Sequence, residues 1–290
     1  VNKLWIVGIV AASLGLSACG ATASLNDAVS SLGSSPYLQV HLTGSVAGPD
    51  STQAQQVANA LSVDLSYANP TGGALAQSQG TANAEMVVNA GGAPLLDVRE
   101  VGGNLYAMLN VTAIANVPTA NVSAAETSAL QLLVGGRWFE FPASLLNSYV
   151  PTSAAAAATT AKERALGTKL IDDLTSLISD TSYTTLASGG YAQTGTLESV
   201  VKALWPTIAA AGDTSTMPSN VPGTYAVTIT TSGSSATGGS VAITAPNGTS
   251  GSDTVTLNAT VAHASDAVVA PTGATIITRA LLKGLLAQAG

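Results

Sequence analysis

The chain has 290 residues; 46% are hydrophobic and only 9% charged, with nine Lys+Arg against sixteen Asp+Glu and a net charge of −7. About a quarter of an average protein is charged, so this surface is unusually neutral. The basic residues are scattered singly, which leaves no patch to neutralise phosphates and excludes nucleic acid as a partner. The abundance of β-branched residues excludes a disordered chain, and one cysteine excludes a disulfide framework.

Residues 1–18 have the layout of an export signal. Lys3 supplies the positive n-region, and an apolar run follows from Leu4 through Ala12 to Leu14 and Leu16. At about 13 residues this run is a signal-peptide core, too short to span ~30 Å of hydrocarbon. It ends in Leu16-Ser17-Ala18-Cys19, the lipobox pattern of bacterial lipoproteins. The expectation is that Cys19 is alkylated by a diacylglycerol and the leader cut before it. The mature chain would then hang from the extracytoplasmic face of the cell membrane by lipid. Two acyl chains suffice for lasting anchorage where one does not. A buried structural cysteine is disfavoured here by Gly20 and the Ser/Ala/Thr stretch beyond it. Residues 19–35 read as a lipidated flexible tether, with room for a short helical turn around Leu25 to Leu32.

From Pro36 on the pattern is strand-like. Leu38, Val40, Leu42 and Val46 alternate with Gln39, His41, Thr43 and Ser45, and Leu61, Val63, Leu65 and Tyr67 alternate with Ser62, Asp64 and Ser66. Met86 and Val88 mark a weaker strand over 82–89. Strands over 95–101 and 105–109 meet at Gly102-Gly103-Asn104, a tight hairpin turn. Val134-Gly135-Gly136-Arg137-Trp138-Phe139 echoes that hairpin and reads as a second strand, Gly-Gly turn and aromatic strand. The middle of the chain is helical. Leu166, Leu170, Leu174, Leu177 and Ile178 share one face of a helix over 161–179. Thr196 caps a second helix carrying Leu197, Val200, Val201, Leu204, Trp205 and Ile208, which Pro206 should end or kink near Trp205. Strands return at 225–229, 240–244 and 255–261. A last strand over 268–277 is interrupted at Pro271, and a short helix follows over 279–288.

The order strands, helices, strands is not βαβ alternation. It predicts an α+β fold: a single large curved antiparallel sheet, a half-barrel over residues 36–290, with helices on its concave face. The inward rows of the sheet and the helix faces would then meet around one interior. The residues expected to line it are Leu38, Val40, Leu42, Leu61, Val63, Leu65, Met86 and Val88 on strands, with Leu170, Leu174, Val201, Leu204 and Trp205 on helices.

Several features together resemble the LppX/LprG-type lipoproteins of Gram-positive actinobacteria, a family with a LolA/LolB-like half-barrel. They are the Leu16-Ser17-Ala18-Cys19 lipobox, the Tyr37-Leu38-Gln39-Val40-His41-Leu42-Thr43 strand and the Gly102-Gly103-Asn104-Leu105-Tyr106 hairpin. Gly135-Gly136-Arg137-Trp138 with Phe141-Pro142, Thr256-Leu257-Asn258-Ala259-Thr260 and Val268-Val269-Ala270-Pro271 complete the set. The resemblance implies a hydrophobic cavity between sheet and helices that carries acyl chains of envelope lipids or lipoglycans. This chain departs from the family in having few large aromatics and many Ala and Gly.

Chemistry for bond making is thin. His41 sits on the polar face of its strand and His263 at a strand end, neither beside other metal-ligand types at a suitable spacing, so no metal is expected. There is no Gly-x-Ser-x-Gly between a strand and a helix and no phosphate-binding loop, so no cofactor is expected. Glu100, Glu140 and the Asp172-Asp173 pair read as solvated surface acids. The expectation is a membrane-anchored lipoprotein that binds or carries acyl lipid without catalysing a reaction. The alternative is a structural or interaction lipoprotein whose sheet is filled by its own side chains.

Overall fold

The structure, a computed structural model, describes residues 23–49, 51–78, 81–118, 123–148, 169, 183–187, 189–210, 217, 220–247, 251–262 and 267–281. The leader over 1–18, the lipidation site Cys19, Leu170, Leu174, His263 and nearly all of the helix expected over 161–179 lie outside these residues. Among the described residues, no helix is long and apolar enough to cross a membrane.

The strands are β1 (Tyr37–Ala47), β2 (Leu61–Ala68), β3 (Asn83–Ala90), β4 (Ala93–Val101), β5 (Asn104–Leu109) and β6 (Trp138–Phe141), then β7 (Thr184–Thr185), β8 (Tyr191–Thr196), β9 (Thr224–Ser232), β10 (Ser235–Asn247), β11 (Gly251–Ala262) and β12 (Thr275–Ile276). The helices are α1 (Ala23–Ser34), α2 (Thr52–Ala60), α3 (Ala124–Leu133), α4 (Ala143–Ser148) and α5 (Leu197–Ala210). All twelve strands join one sheet in the order β12-β6-β5-β4-β3-β2-β1-β11-β10-β9-β8-β7. The pairs from β1 to β6 and from β7 to β11 run antiparallel, whereas β12 lies parallel to β6. The α+β class and the single antiparallel-dominated sheet are therefore as expected. The chain divides into two compact units, residues 35–44, 53–150 and 261–290 in one, and 1–34, 45–52 and 151–260 in the other.

The first of these, the β1–β6 unit, is a meander. The β4–β5 hairpin turns at Gly102 and Gly103, with φ of 58° and 87°. Two successive positive φ values make a type I′ turn, whose twist suits a hairpin and which residues with a Cβ resist. The core buries Leu38, Val40, Leu65 and Tyr67 on the strands, Val111 after β5, and Val268 and Ile277 near the C-terminus.

Two expectations for this unit need correction. The Gly135-Gly136 echo is not a hairpin: the residues before it form α3. Ser123 and Glu126 start that helix with a capping box, in which Glu126 N–H donates to Ser123 Oγ at 3.2 Å and Ser123 N–H donates to Glu126 Oε2 at 2.9 Å. Gly136, with φ of 67°, then follows the helix end, a second common use of glycine. The strand expected over 268–277 shrinks to Thr275–Ile276, because Pro271 has no N–H to donate. The stretch before it is instead tied by side chains. Asn83 Nδ2 donates to Val268 O at 3.0 Å and Arg99 Nη1 to Val269 O at 3.4 Å. Residues 279–281 are helical; the rest of the helix expected there lies outside the described residues.

The β7–β11 unit carries α1 and α5. The segment expected as a flexible tether contains α1, which packs against β10 and buries Leu32. Thr196 caps α5 as expected, accepting from Ser199 N–H at 3.3 Å. Pro206 does not end the helix, which runs on to Ala210. A proline costs the one hydrogen bond its own nitrogen would donate; the turns on either side continue the helix.

Candidate functional site

Strand alternation and register decide which side chains share a face. In the β1–β6 unit the register aligns Val40, Leu65, Met86, Val98, Ala107 and Phe139 in one continuous row across six strands. Beside it runs a second row, Leu42, Val63, Val88, Leu96 and Leu109. A third contains Leu38, Tyr67, Ala84, Glu100, Leu105 and Phe141. Leu61 pairs with Ala90 at the far end of the same face. All eight strand residues singled out from the sequence thus lie on one face. Glu100 is the one charged residue in the three rows. At about 4.8 Å per strand, six strands give an apolar face about 24 Å wide.

Coverage of that face is uneven. Leu38, Val40 and Leu65 are buried, Val40 to 2% exposure. Leu42, Leu61, Val63, Met86, Val88, Leu96, Val98, Leu105, Leu109, Phe139 and Phe141 are only half-buried. A close-packed interior leaves few such gaps.

The opposite face of the same strands is polar. His41 Nδ1 lies 2.6 Å from Asp64 Oδ1, and Asn89 Nδ2 donates to Asp64 Oδ2 at 2.6 Å. The next row holds Ser66, Glu85, Arg99, Tyr106 and Glu140. Arg99 Nε meets Glu85 Oε1 at 2.9 Å and its Nη2 meets Asp97 Oδ2 at 2.9 Å. Its guanidinium lies 4.7 Å from the centre of the Trp138 ring. Burial pushes the Glu85 carboxyl above its usual range, against the pull of Arg99 and with the push of Asp97 and Asp64. His41 sits on the polar face, as expected, and gains a carboxylate partner that sequence spacing did not show. Among the described residues, no three His, Cys, Asp or Glu side chains converge as metal ligands.

In the β7–β11 unit the register again makes one apolar face. One row is Gln193, Val227, Val241 and Leu257, and the next is Gly195, Tyr225, Ile243 and Val255. Exposure rises across these rows. Gln193 and Tyr225 are buried on β8 and β9, while Val241 is 36%, Ile243 42%, Leu257 47% and Val255 52% exposed. The Tyr225 ring lies over Gly195, in the space a Cβ there would take. Its hydroxyl accepts from Gln193 Nε2 at 2.7 Å. Gln193 Oε1 and the Tyr183 hydroxyl are buried without a hydrogen-bond partner. The other face of these strands is a threonine array, in which Thr194, Thr196, Thr224, Ala226, Ala242 and Thr244 line an open groove of about 360 Å³.

Of the helix residues expected at the site, Val201, Leu204 and Trp205 stand half-buried on α5 in this unit. Leu170 and Leu174 lie outside the described residues. The exposed row and the polar pair at its buried end were missed from sequence. Alternation at 255–261 signalled a shared face; burial of Gln193 had no local signal.

No family model matches the chain, and no curated protein does. A solved structure does: the crystal structure of the Mycobacterium tuberculosis lipoprotein LppX, at 15% identity and a TM-score of 0.35, covering 85% of this chain and 97% of that one. At that score the likeness carries no functional argument.

Proposed function

We propose that this chain is a cell-envelope lipoprotein, tethered through a diacylglyceryl group on Cys19, that binds or carries acyl lipids or lipoglycans. It makes and breaks no bonds. The observation that supports this best is the half-covered apolar face of the β1–β6 unit, whose three rows include one charged residue. Water against such a face is costly, and each CH₂ a ligand buries there contributes about 0.8 kcal/mol. The polar side chains are collected on the opposite face, where they pair with one another instead of converging on a reacting atom. Cys19 in its lipobox supports the tether.

The test separates bound lipid from attached lipid. The purified full chain is extracted with organic solvent, which removes non-covalent lipid and leaves a thioether-linked diacylglycerol in place. Acyl lipid recovered near one molecule per chain supports carriage; trace amounts matching the bulk membrane overturn it. Fatty-acid label that survives extraction in the native chain and disappears in Cys19→Ser supports the tether.

A further inference from the structure

The apolar face of the β7–β11 unit ends in a polar pair, and the combination specifies a ligand more closely than apolar area does. Along the Gln193–Val227–Val241–Leu257 row the exposed side chains are aliphatic, and the buried end is an amide. Gln193 is only 5% exposed, yet its Oε1 accepts no hydrogen bond. Its other amide atom is committed to the Tyr225 hydroxyl. With Nε2 engaged there, Oε1 is the acceptor that remains. The Tyr183 hydroxyl is likewise buried and unpartnered. It stands one residue before Thr184, which pairs with Ala192, so the antiparallel β7–β8 register sets it beside Gln193. Burial, with a smaller push from Tyr225, raises its pKa to about 12. Tyr183 therefore stays protonated and able to donate at any physiological pH. Buried polar atoms without partners are rare in folded proteins, because each gives up its hydrogen bonds to water.

One free acceptor, on Gln193, and the O–H donors of Tyr183 and of Tyr225, whose oxygen alone is engaged by Gln193, suit a group that both donates and accepts. An alcohol does both through a single oxygen. A carboxylate offers no donor to Gln193 Oε1, and an ammonium offers no acceptor to Tyr183. The exposed aliphatic side chains of this row and the next then take the hydrocarbon. From Gln193 on β8 to Leu257 on β11 the row spans three strand spacings, about 14 Å.

We infer that this face binds an uncharged acyl lipid carrying a hydroxyl group, with the chain laid over Val241, Ile243, Val255 and Leu257 and the hydroxyl held by Gln193 and Tyr183. The inference rests on the acyl-lipid reading above and names the class of lipid. A hydroxyl on the acyl chain and a hydroxyl on a glycerol headgroup present the same chemistry to the site.

The test is a competition. The full chain in detergent micelles is offered equimolar methyl octadecanoate, methyl 12-hydroxyoctadecanoate and 1-octadecanoylglycerol, and occupancy is read by native mass spectrometry. At least one hydroxylated probe should exceed methyl octadecanoate about tenfold, equivalent to about 1.4 kcal/mol. Whichever exceeds it identifies the source of the hydroxyl. In Tyr183→Phe and in Gln193→Met that preference should fall to about onefold. Thr256→Ala, on the threonine face of the same strand, should keep it. Equal occupancy by all three probes overturns this inference and leaves acyl binding standing. A hydroxyl preference that survives both site variants also overturns it. Failure of all three probes to bind overturns the acyl-lipid reading itself.

Discussion

Replacing Arg99 with Met tests whether the polar face of the β1–β6 unit is a structural strut. Arg99 pairs with Glu85 and with Asp97 at 2.9 Å each, covers the Trp138 ring at 4.7 Å, and donates to Val269 O. An exposed ion pair contributes about 0–1 kcal/mol. Breaking a buried one by removing a single partner costs about 3–5 kcal/mol, because the other charge is left without compensation. Asp97 is 6% exposed and belongs to the second class, while Arg99 itself is half-buried. The lower end, about 3 kcal/mol, is therefore the expected loss. The pH dependence follows from Glu85, whose carboxyl burial already holds above its usual range. A raised pKa in the folded state means that the folded chain holds more protons than the unfolded one. Stability then rises as pH falls through the window just above the ordinary carboxylate value. Removing the cation widens that window. Urea unfolding of Arg99→Met should show its largest deficit at pH 7 and a smaller one near pH 5. A loss under about 1 kcal/mol at pH 7 that does not change with pH would refute the strut and place Arg99 with surface pairs.

Other perturbations give separable outcomes. Glu85→Gln should abolish the rise in native-chain stability on acidification just above the usual carboxylate range, read from the urea midpoint. Leu65→Ala, in the buried part of the apolar face, should cost about 2–5 kcal/mol in the same assay. The double change Val255→Ser and Leu257→Ser, at the exposed β11 ends of the two rows, should alter stability by no more than about 1 kcal/mol while lowering acyl-lipid occupancy in native mass spectra. Gly190→Ala should destabilise by more than about 1 kcal/mol in thermal unfolding. Gly190 has φ of 100°, and a Cβ there would run into the Ile229 carbonyl.

Elements with two unlike faces were legible in the sequence. Leu38, Val40 and Leu42 alternate with polar residues because one side of β1 is apolar and the other is not, and that contrast gave both the strand and its face. Gly102-Gly103-Asn104 was legible because a two-residue hairpin turn demands positive φ at both central positions. Elements defined by caps or by distant partners were not. The glycines at 135–136 carry the same local signal as those at 102–103, and only the Ser123–Glu126 box tells a helix end from a hairpin. Helix α2 buries no residue and so has no apolar stripe to betray it. For the candidate site, period-two alternation placed Val63 and Val88 on a common face. It could not report how far that face is covered, because coverage depends on segments distant in the chain. The pairing of His41 with Asp64 depends on strand register across 23 positions, which alternation alone does not set.

Val87 and Val88 provide the most direct measurement of the central claim. They are the same residue type, adjacent on β3 and both half-buried. Val87 stands in the polar face between Asp64 and Asp97, and Val88 in the apolar row between Val63 and Leu96. A photoreactive amino acid is placed at one position or the other in the full chain, in cells fed labelled fatty acid, with Cys19→Ser run in parallel to remove attached label. Crosslinking to acyl lipid at 88 and not at 87 is the predicted result. Equal yields at both, or capture at 87 alone, would contradict it.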